Sequence, residues 1–199
     1  MTPKKTALLV LDPQNDLTDP TGKLGMATKP SLDKYDVIAN INTLTDSYRQ
    51  AGCFIVFSPI SFSEGYAEAG ENPYGVMSAI VETQSMVRGT WGSEISDLFN
   101  RDDSDYVMER NAIIAFERTD LEDVLKREGI ERIVLVGMLT DICVESTMRT
   151  AYVKGYEVFT VKDATAALDL NKQEMSVETN FPLFSKVVST RQAVDLLHG

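Results

Sequence analysis

The sequence predicts an α/β protein with a mostly parallel sheet and helices on both of its faces. Two observations carry this prediction. Short apolar runs rich in β-branched residues alternate along the chain with segments of helical periodicity, and a chain of 199 residues suits one large core better than two small ones. The predicted strands are Thr6–Leu11, Cys53–Ser58, Tyr106–Glu109, Arg132–Gly137, Glu157–Val161 and Lys186–Ser189. The predicted helices are Leu32–Ala51, Ser93–Asn100, Asp120–Glu128, Asp141–Lys154 and Lys172–Thr179, with a last one near Arg191–Leu197.

The helical assignments rest on apolar spacing. Val144, Met148, Ala151 and Tyr152 fall at i, i+4, i+7 and i+8 and form one face, while Glu145, Arg149 and Lys154 point elsewhere. Gly155 then ends the helix as a C-cap residue. Leu121, Val124 and Leu125 repeat the pattern before Gly129. The segment from Ile60 to Gly92 follows neither period. It is dense in Gly, Ser, Met and aromatic residues, including Phe62, Tyr66, Tyr74, Met77 and Trp91, and reads either as a lid or binding loop or as a surface excursion with anchoring aromatics.

Composition narrows the functional classes. An apolar fraction of 43% and a charged fraction of 25% exclude a disordered or collagen-like chain. The formal charge of -11 is spread along the sequence and repels nucleic acid and anionic lipid, so neither is expected as a partner. The apolar run Ala7–Leu11 is far shorter than the roughly 20 residues that span a bilayer, and no signal peptide is read at the N-terminus. With only two cysteines, Cys53 and Cys143, a disulfide framework is not expected and the chain reads as cytoplasmic.

In an open parallel sheet, ligands bind beyond the carboxyl ends of the strands. Three residues stand there: Asp12 after the first strand, Arg110 after the third, and Cys143 in the turn after the fourth. With Thr140 or Asp141 as N-cap, the Cys143 thiol falls in the first helical turn, where free N–H groups and the helix dipole favour a thiolate and can hold an oxyanion. From position alone it reads equally as a small buried residue packing a helix onto the sheet. Asp12 is placed to take a proton from a thiol and return it to a leaving amine, or merely to cap the turn opened by Pro13. Cys53, at the start of a strand and at the opposite end of the sheet, reads as structural. The only histidine is His198, so neither a Cys-His pair nor a His-based metal site is expected. The nucleotide-binding patterns G-x-G-x-x-G after the first strand and G-x-x-x-x-G-K-[ST] are missing.

These residues lie in a run of motifs: Ala7 through Asp16, Gly89-Thr90-Trp91-Gly92, Ala115 through Leu121, Gly137 through Glu145, and Asp163-Ala164. In this order and spacing the chain resembles the isochorismatase-like cysteine hydrolases, the superfamily of nicotinamidases, N-carbamoylsarcosine amidohydrolases and isochorismatases. The resemblance spans nearly the whole chain, residues 1–199, read as a single hydrolase domain. It implies a three-layer Rossmann-like fold with six parallel strands in the order 3-2-1-4-5-6. It also implies an Asp-Lys-Cys triad, with Asp12 activating the thiol, Cys143 attacking a carbonyl, and the backbone N–H groups of Leu139 and Cys143 forming an oxyanion hole. A cis peptide is implied at Met138–Leu139.

Two departures bear on function. Where the family has the triad lysine this chain has Arg110, which keeps the charge but is bulkier and bidentate. Glu109 beside it is a possible sharer of the ion pair, although strand alternation turns it to the other side. After the second strand, where metal-binding nicotinamidases carry an Asp and several His residues, the chain reads Pro59-Ile60-Ser61-Phe62-Ser63. The expectation is therefore a metal-independent cysteine hydrolase without cofactor, acting on a small amide through a thioester and working as a homo-oligomer. Gln14, Phe62, Tyr74, Trp91 and Phe116 are taken as substrate-pocket candidates. Two alternatives stay open: vinyl-ether hydrolysis of the isochorismatase kind, and a non-catalytic binding protein on a decayed hydrolase fold.

Overall fold

Strand β1 (Thr6–Leu11) lies inside a six-stranded, all-parallel sheet, with every one of its side chains buried. The computed structural model describes residues 2–198. Its sheet runs in the order β3-β2-β1-β4-β5-β6, with β2 at Phe54–Ser58, β3 at Tyr106–Val107, β4 at Arg132–Met138, β5 at Glu157–Ala166 and β6 at Lys186–Val188. β1 pairs with β2 on one side (Leu9 opposite Val56) and with β4 on the other (Leu9 opposite Leu135).

Because successive side chains point to opposite faces, β1 feeds two cores. Leu8 and Val10 pack with Leu32, Ile41, Leu44, Tyr48 and Ala193, from helices α2 (Gly25–Lys34), α3 (Val37–Gln50) and α8 (Thr190–Asp195). Ala7, Leu9 and Leu11 pack with Leu121, Leu125, Met148 and Ala151, from α5 (Leu121–Arg127) and α6 (Glu145–Val153). Each fully buried Leu or Val contributes ~1.5–3 kcal/mol, so this doubly covered strand is a main source of stability. Among the described residues, no helix is long and apolar enough to cross a membrane.

Several expected elements differ. The predicted helix Leu32–Ala51 is two helices, because Asp36 takes a left-handed φ of 49° and Asn40 Nδ2 donates to Tyr35 O and Asp163 O, both at 2.8 Å. The predicted helix Ser93–Asn100 does not form. Its backbone groups are engaged by the loop after β1 and by α3: Ile95 bridges Gln14, Ser96 N donates to Pro13 O, and Asn100 N donates to Asn42 Oδ1. β3 stops at Val107, although Met108 N and Arg110 N still donate to Phe57 O and Pro59 O. β5 runs on to Ala166 past an irregularity in its pairing with β4. Short helices at α1 (Asn15–Thr18) and α4 (Val76–Thr83), and the part of α2 before Leu32, lie outside the expected set, while α7 (Leu170–Met175) and the π-helical turn Ser176–Asn180 divide the predicted Lys172–Thr179 between them.

Candidate active site

Asp12 leaves the carboxyl end of β1 with a left-handed φ of 51°, a conformation that costs a non-glycine residue on the order of 1–3 kcal/mol. The turn is held on both sides: Asp12 N donates to Ser58 O at 3.1 Å, and Gln14 N donates to Asp12 O at 2.8 Å. The carboxylate is buried, which is costly unless a cation and hydrogen bonds compensate.

Arg110 supplies that compensation. Its Nη2 donates to Asp12 Oδ1 at 2.5 Å, Nε donates to Ser58 Oγ at 3.1 Å, and Nη1 donates to Ala112 O at 2.8 Å. The guanidinium group is completely buried. Glu109 is exposed and takes no part in the pair.

Cys143 arrives by a more unusual route. β4 approaches β1 so closely at Gly137 (φ 113°) that a Cβ there would sit 2.1 Å from the Leu11 carbonyl oxygen. The Met138–Leu139 peptide is cis, and a π-helical turn, Thr140–Val144, then leads into α6. Such turns recur at functional sites because the extra residue re-aims the side chains around it. The expected N-caps are corrected: Leu139 occupies that position, its carbonyl accepting from Ile142 N and Val144 N at 3.1 Å, without a side-chain cap. Thr140 Oγ1 instead donates to Gln173 Oε1, and Asp141 Oδ1 is buried without a partner. Among the described residues the Leu139 N–H makes no hydrogen bond.

The three side chains meet. The Cys143 thiol lies beside the Asp12 carboxylate and feels the charge of Arg110. Burial, and then the adjacent Asp12 carboxylate, hold the thiol proton well above its ordinary range, with Arg110 opposing. Burial likewise raises Asp12, against the pull of the Arg110 charge, the adjacent Cys143 thiol and the hydrogen bond from Arg110. Desolvation thus opposes the thiolate that the start of the helix favours. Cys53 is buried apart from this cluster, and desolvation pushes its thiol up to about 11.

Asp12 and Cys143 open onto a cavity of about 270 Å³. Its walls come from Leu17 and Leu24, from Ile60, from Val76, Ala79 and Ile80 of α4, from Ile113, and from Leu139, Ile142, Leu168 and Lys172. None of the five pocket candidates lines it. Gln14 is buried and pins Ile60 through Nε2 to O (2.7 Å) and N to Oε1 (2.8 Å). Phe62 is in the core against Tyr66, and Phe116 stacks on Tyr156 in the other core. Tyr74 is 87% exposed, and Trp91 lines a separate depression beside Asp16.

Residues 6–192 match the family model of the isochorismatase domain. The chain belongs to the isochorismatase family. Solved isochorismatase-family relatives superpose over nearly their whole length. The chain is similar to a cysteine hydrolase from Pseudomonas syringae pv. phaseolicola 1448A, with a TM-score of 0.86 and 23% identity over 100% of this chain and 94% of that one. It is similar to the N-carbamoylsarcosine amidase of Thermoplasma acidophilum (TM-score 0.72, 26% identity, 94% and 96% covered). It is also similar to the pyrazinamidase of Pyrococcus horikoshii in complex with zinc (TM-score 0.76, 25% identity, 93% and 99% covered). The protein is thus a hydrolase of the isochorismatase family.

Among the described residues no three His, Cys, Asp or Glu side chains are grouped to hold a metal. The residues around this cluster that the sequence reading passed over are Ser58, which bonds to Arg110, Gln173, which bonds to Thr140, and the cavity-lining Lys172 and α4. Only α4 left a signal: Val76, Ala79 and Ile80 repeat at i, i+3 and i+4 directly after Gly75.

Proposed function

We propose that this isochorismatase-family hydrolase cleaves the C–N bond of a small amide through an acyl-cysteine intermediate. The observation that carries the reading is the convergence of Asp12, Arg110 and Cys143, with Asp12 and Cys143 in the wall of a largely apolar cavity and Arg110 behind Asp12. The names of two relatives, an N-carbamoylsarcosine amidase and a pyrazinamidase, point to the same bond type. A buried free thiol suits a reducing compartment such as the cytoplasm.

The resting protonation states set the order of events. Asp12 takes the Cys143 thiol proton as Sγ bonds to the amide carbonyl carbon, and the backbone N–H groups of Leu139 and Cys143 receive the oxyanion. As the tetrahedral adduct collapses, the C–N bond breaks and Asp12 gives its proton to the leaving nitrogen, releasing the amine and leaving a thioester. Water then adds to the thioester carbonyl and passes a proton to Asp12. The C–S bond breaks, the carboxylic acid departs, and Asp12 returns the proton to Sγ. Arg110 keeps Asp12 ionised between turnovers and limits the mutual repulsion of carboxylate and nascent thiolate. No step calls on a metal, in keeping with a chain whose one histidine is His198.

A screen of small amides with ammonia detection tests this reading. Cys143→Ala is expected to lose on the order of 10⁴ in turnover, since residues of such a cluster act as a unit. Cys53→Ala is expected to stay near wild type. Wild-type turnover by Cys143→Ala refutes the mechanism, and a vinyl-ether substrate cleaved without the thiol replaces it.

A further inference from the structure

The cavity wall is apolar, with Leu17, Val76, Ile80 and Leu168 prominent, and carries two charged side chains, Asp12 and Lys172. Asp12 is compensated by the buried Arg110. Arg110 is turned to protein partners through its Nε, Nη1 and Nη2 and does not line the cavity. Lys172 is different. Its ammonium lies 3.9 Å from Asp141 Oδ2, beyond hydrogen-bond distance and the longest ion pair formed by the described residues. Its side chain is 64% exposed, so it stands on the solvent side of a cavity whose other end holds the buried thiol.

The backbone under Lys172 is fixed relative to that thiol. Asp169 caps α7, accepting from Asn171 N at 2.9 Å and Lys172 N at 3.1 Å. The next residue, Gln173, is buried and bonds to Thr140 Oγ1, at the start of the turn that carries Cys143. It also donates to Thr165 O and Oγ1, both at 3.1 Å. The base of the Lys172 side chain is thus held at a set distance from the thiol across an apolar span. A cavity of about 270 Å³ lies just below the ~300–1,000 Å³ typical of ligand sites, which limits that span to a short chain.

We infer that Lys172 is the specificity-determining cation of the cavity, selecting short aliphatic amides that end in a carboxylate, the monoamides of small dicarboxylic acids. The acyl chain lies along the apolar wall with its amide carbonyl at Cys143, and the far carboxylate accepts from Lys172 Nζ, which has no hydrogen-bonded partner among the described residues. This deepens the amide-hydrolase reading and rests on it.

The test compares succinamate with butanamide and glutaramate with pentanamide, pairs of equal chain length that differ in the terminal carboxylate. Ammonia release is followed with the wild-type protein and with Lys172→Met and Lys172→Glu. The wild type is expected to favour the anionic member of a pair by about tenfold or more in kcat/KM, chiefly through KM, as one charge-assisted hydrogen bond provides. Lys172→Met is expected to bring the ratio close to one, and Lys172→Glu to invert it. A ratio unchanged in Lys172→Met, or anionic and neutral amides weakened alike, overturns the inference. Calorimetric titration of Cys143→Ala, and of Cys143→Ala with Lys172→Met, separates binding from chemistry. If the wild type releases ammonia from no amide, the proposed hydrolysis fails. Tighter binding of glutaramate or succinamate than of its neutral partner, lost with Lys172→Met, still upholds the role of Lys172, and equal binding of the two overturns it.

Discussion

All three nitrogens of the Arg110 guanidinium group bond to protein, and this decides between two roles for an arginine at this position. A residue that binds substrate carboxylate must face the cavity, and Arg110 does not line it. Its role is to hold Asp12 and balance the charge formed on Cys143. Arg110→Ala leaves Asp12 buried without its cation, a loss of about 3–5 kcal/mol unless the carboxyl takes up a proton, and a protonated Asp12 is no base. Turnover is expected to fall by orders of magnitude. Arg110→Lys restores the charge but not the bonds to Ser58 Oγ and Ala112 O, so it should recover part of kcat with KM little changed. A variant with restored thiol reactivity but a raised KM shows instead that Arg110 binds substrate. The pH dependence of alkylation checks the resting state. Because burial and Asp12 raise the Cys143 pKa, thiolate is scarce at neutrality, and the iodoacetamide rate at Cys143 should keep rising with pH through and beyond the ordinary thiol value of 9.0. A rate already level below pH 7 means that the thiolate is the resting form.

At the scale of elements, the site depends on how β4 ends. Gly137 lets the strand lie against the Leu11 backbone, and the turn bearing Cys143 starts from there. Gly137→Ala forces a Cβ into that backbone at a φ suited to glycine, and more than about 3 kcal/mol of stability should be lost along with activity, read from urea midpoints and ammonia release. A midpoint near wild type shows that the strand can shift without harm. The same scale separates what sequence patterning reveals from what it does not. β1 and β4 are legible because strands covered on both faces must be apolar at every position. The α5 and α6 faces are legible for a related reason, one side buried and one solvated. The Ser93–Asn100 segment has helical composition, but its backbone groups are already bonded to Gln14, Pro13 and Asn42, and local propensity yields to those partners. The π-helical turn is invisible to a 3.6-residue period, which treats Asp141–Lys154 as one helix.

For the whole molecule, the strand order explains where the chemistry lies. β1 and β4 are neighbours at the point where the order reverses, and the loops leaving them diverge and open a crevice, with Asp12 on one lip and Cys143 on the other. Arg110 reaches the same edge from beyond β3. This much follows from chemistry at strand ends, and the three residues are legible from sequence. The pocket wall is not: Val76 and Ile80 come from α4, Leu168 and Lys172 from α7 and the residues just before it, and only tertiary packing brings them over the thiol, while the conspicuous aromatics Phe62 and Phe116 serve the core. The central claim, that Cys143 carries the acyl group, is tested most directly by rapid acid quench within the first turnover of an amide, followed by peptide mass mapping. The account predicts the acyl mass on the peptide containing Cys143 and none on that containing Cys53; acyl transfer to any other residue, or full-rate hydrolysis with Cys143 never modified, contradicts it.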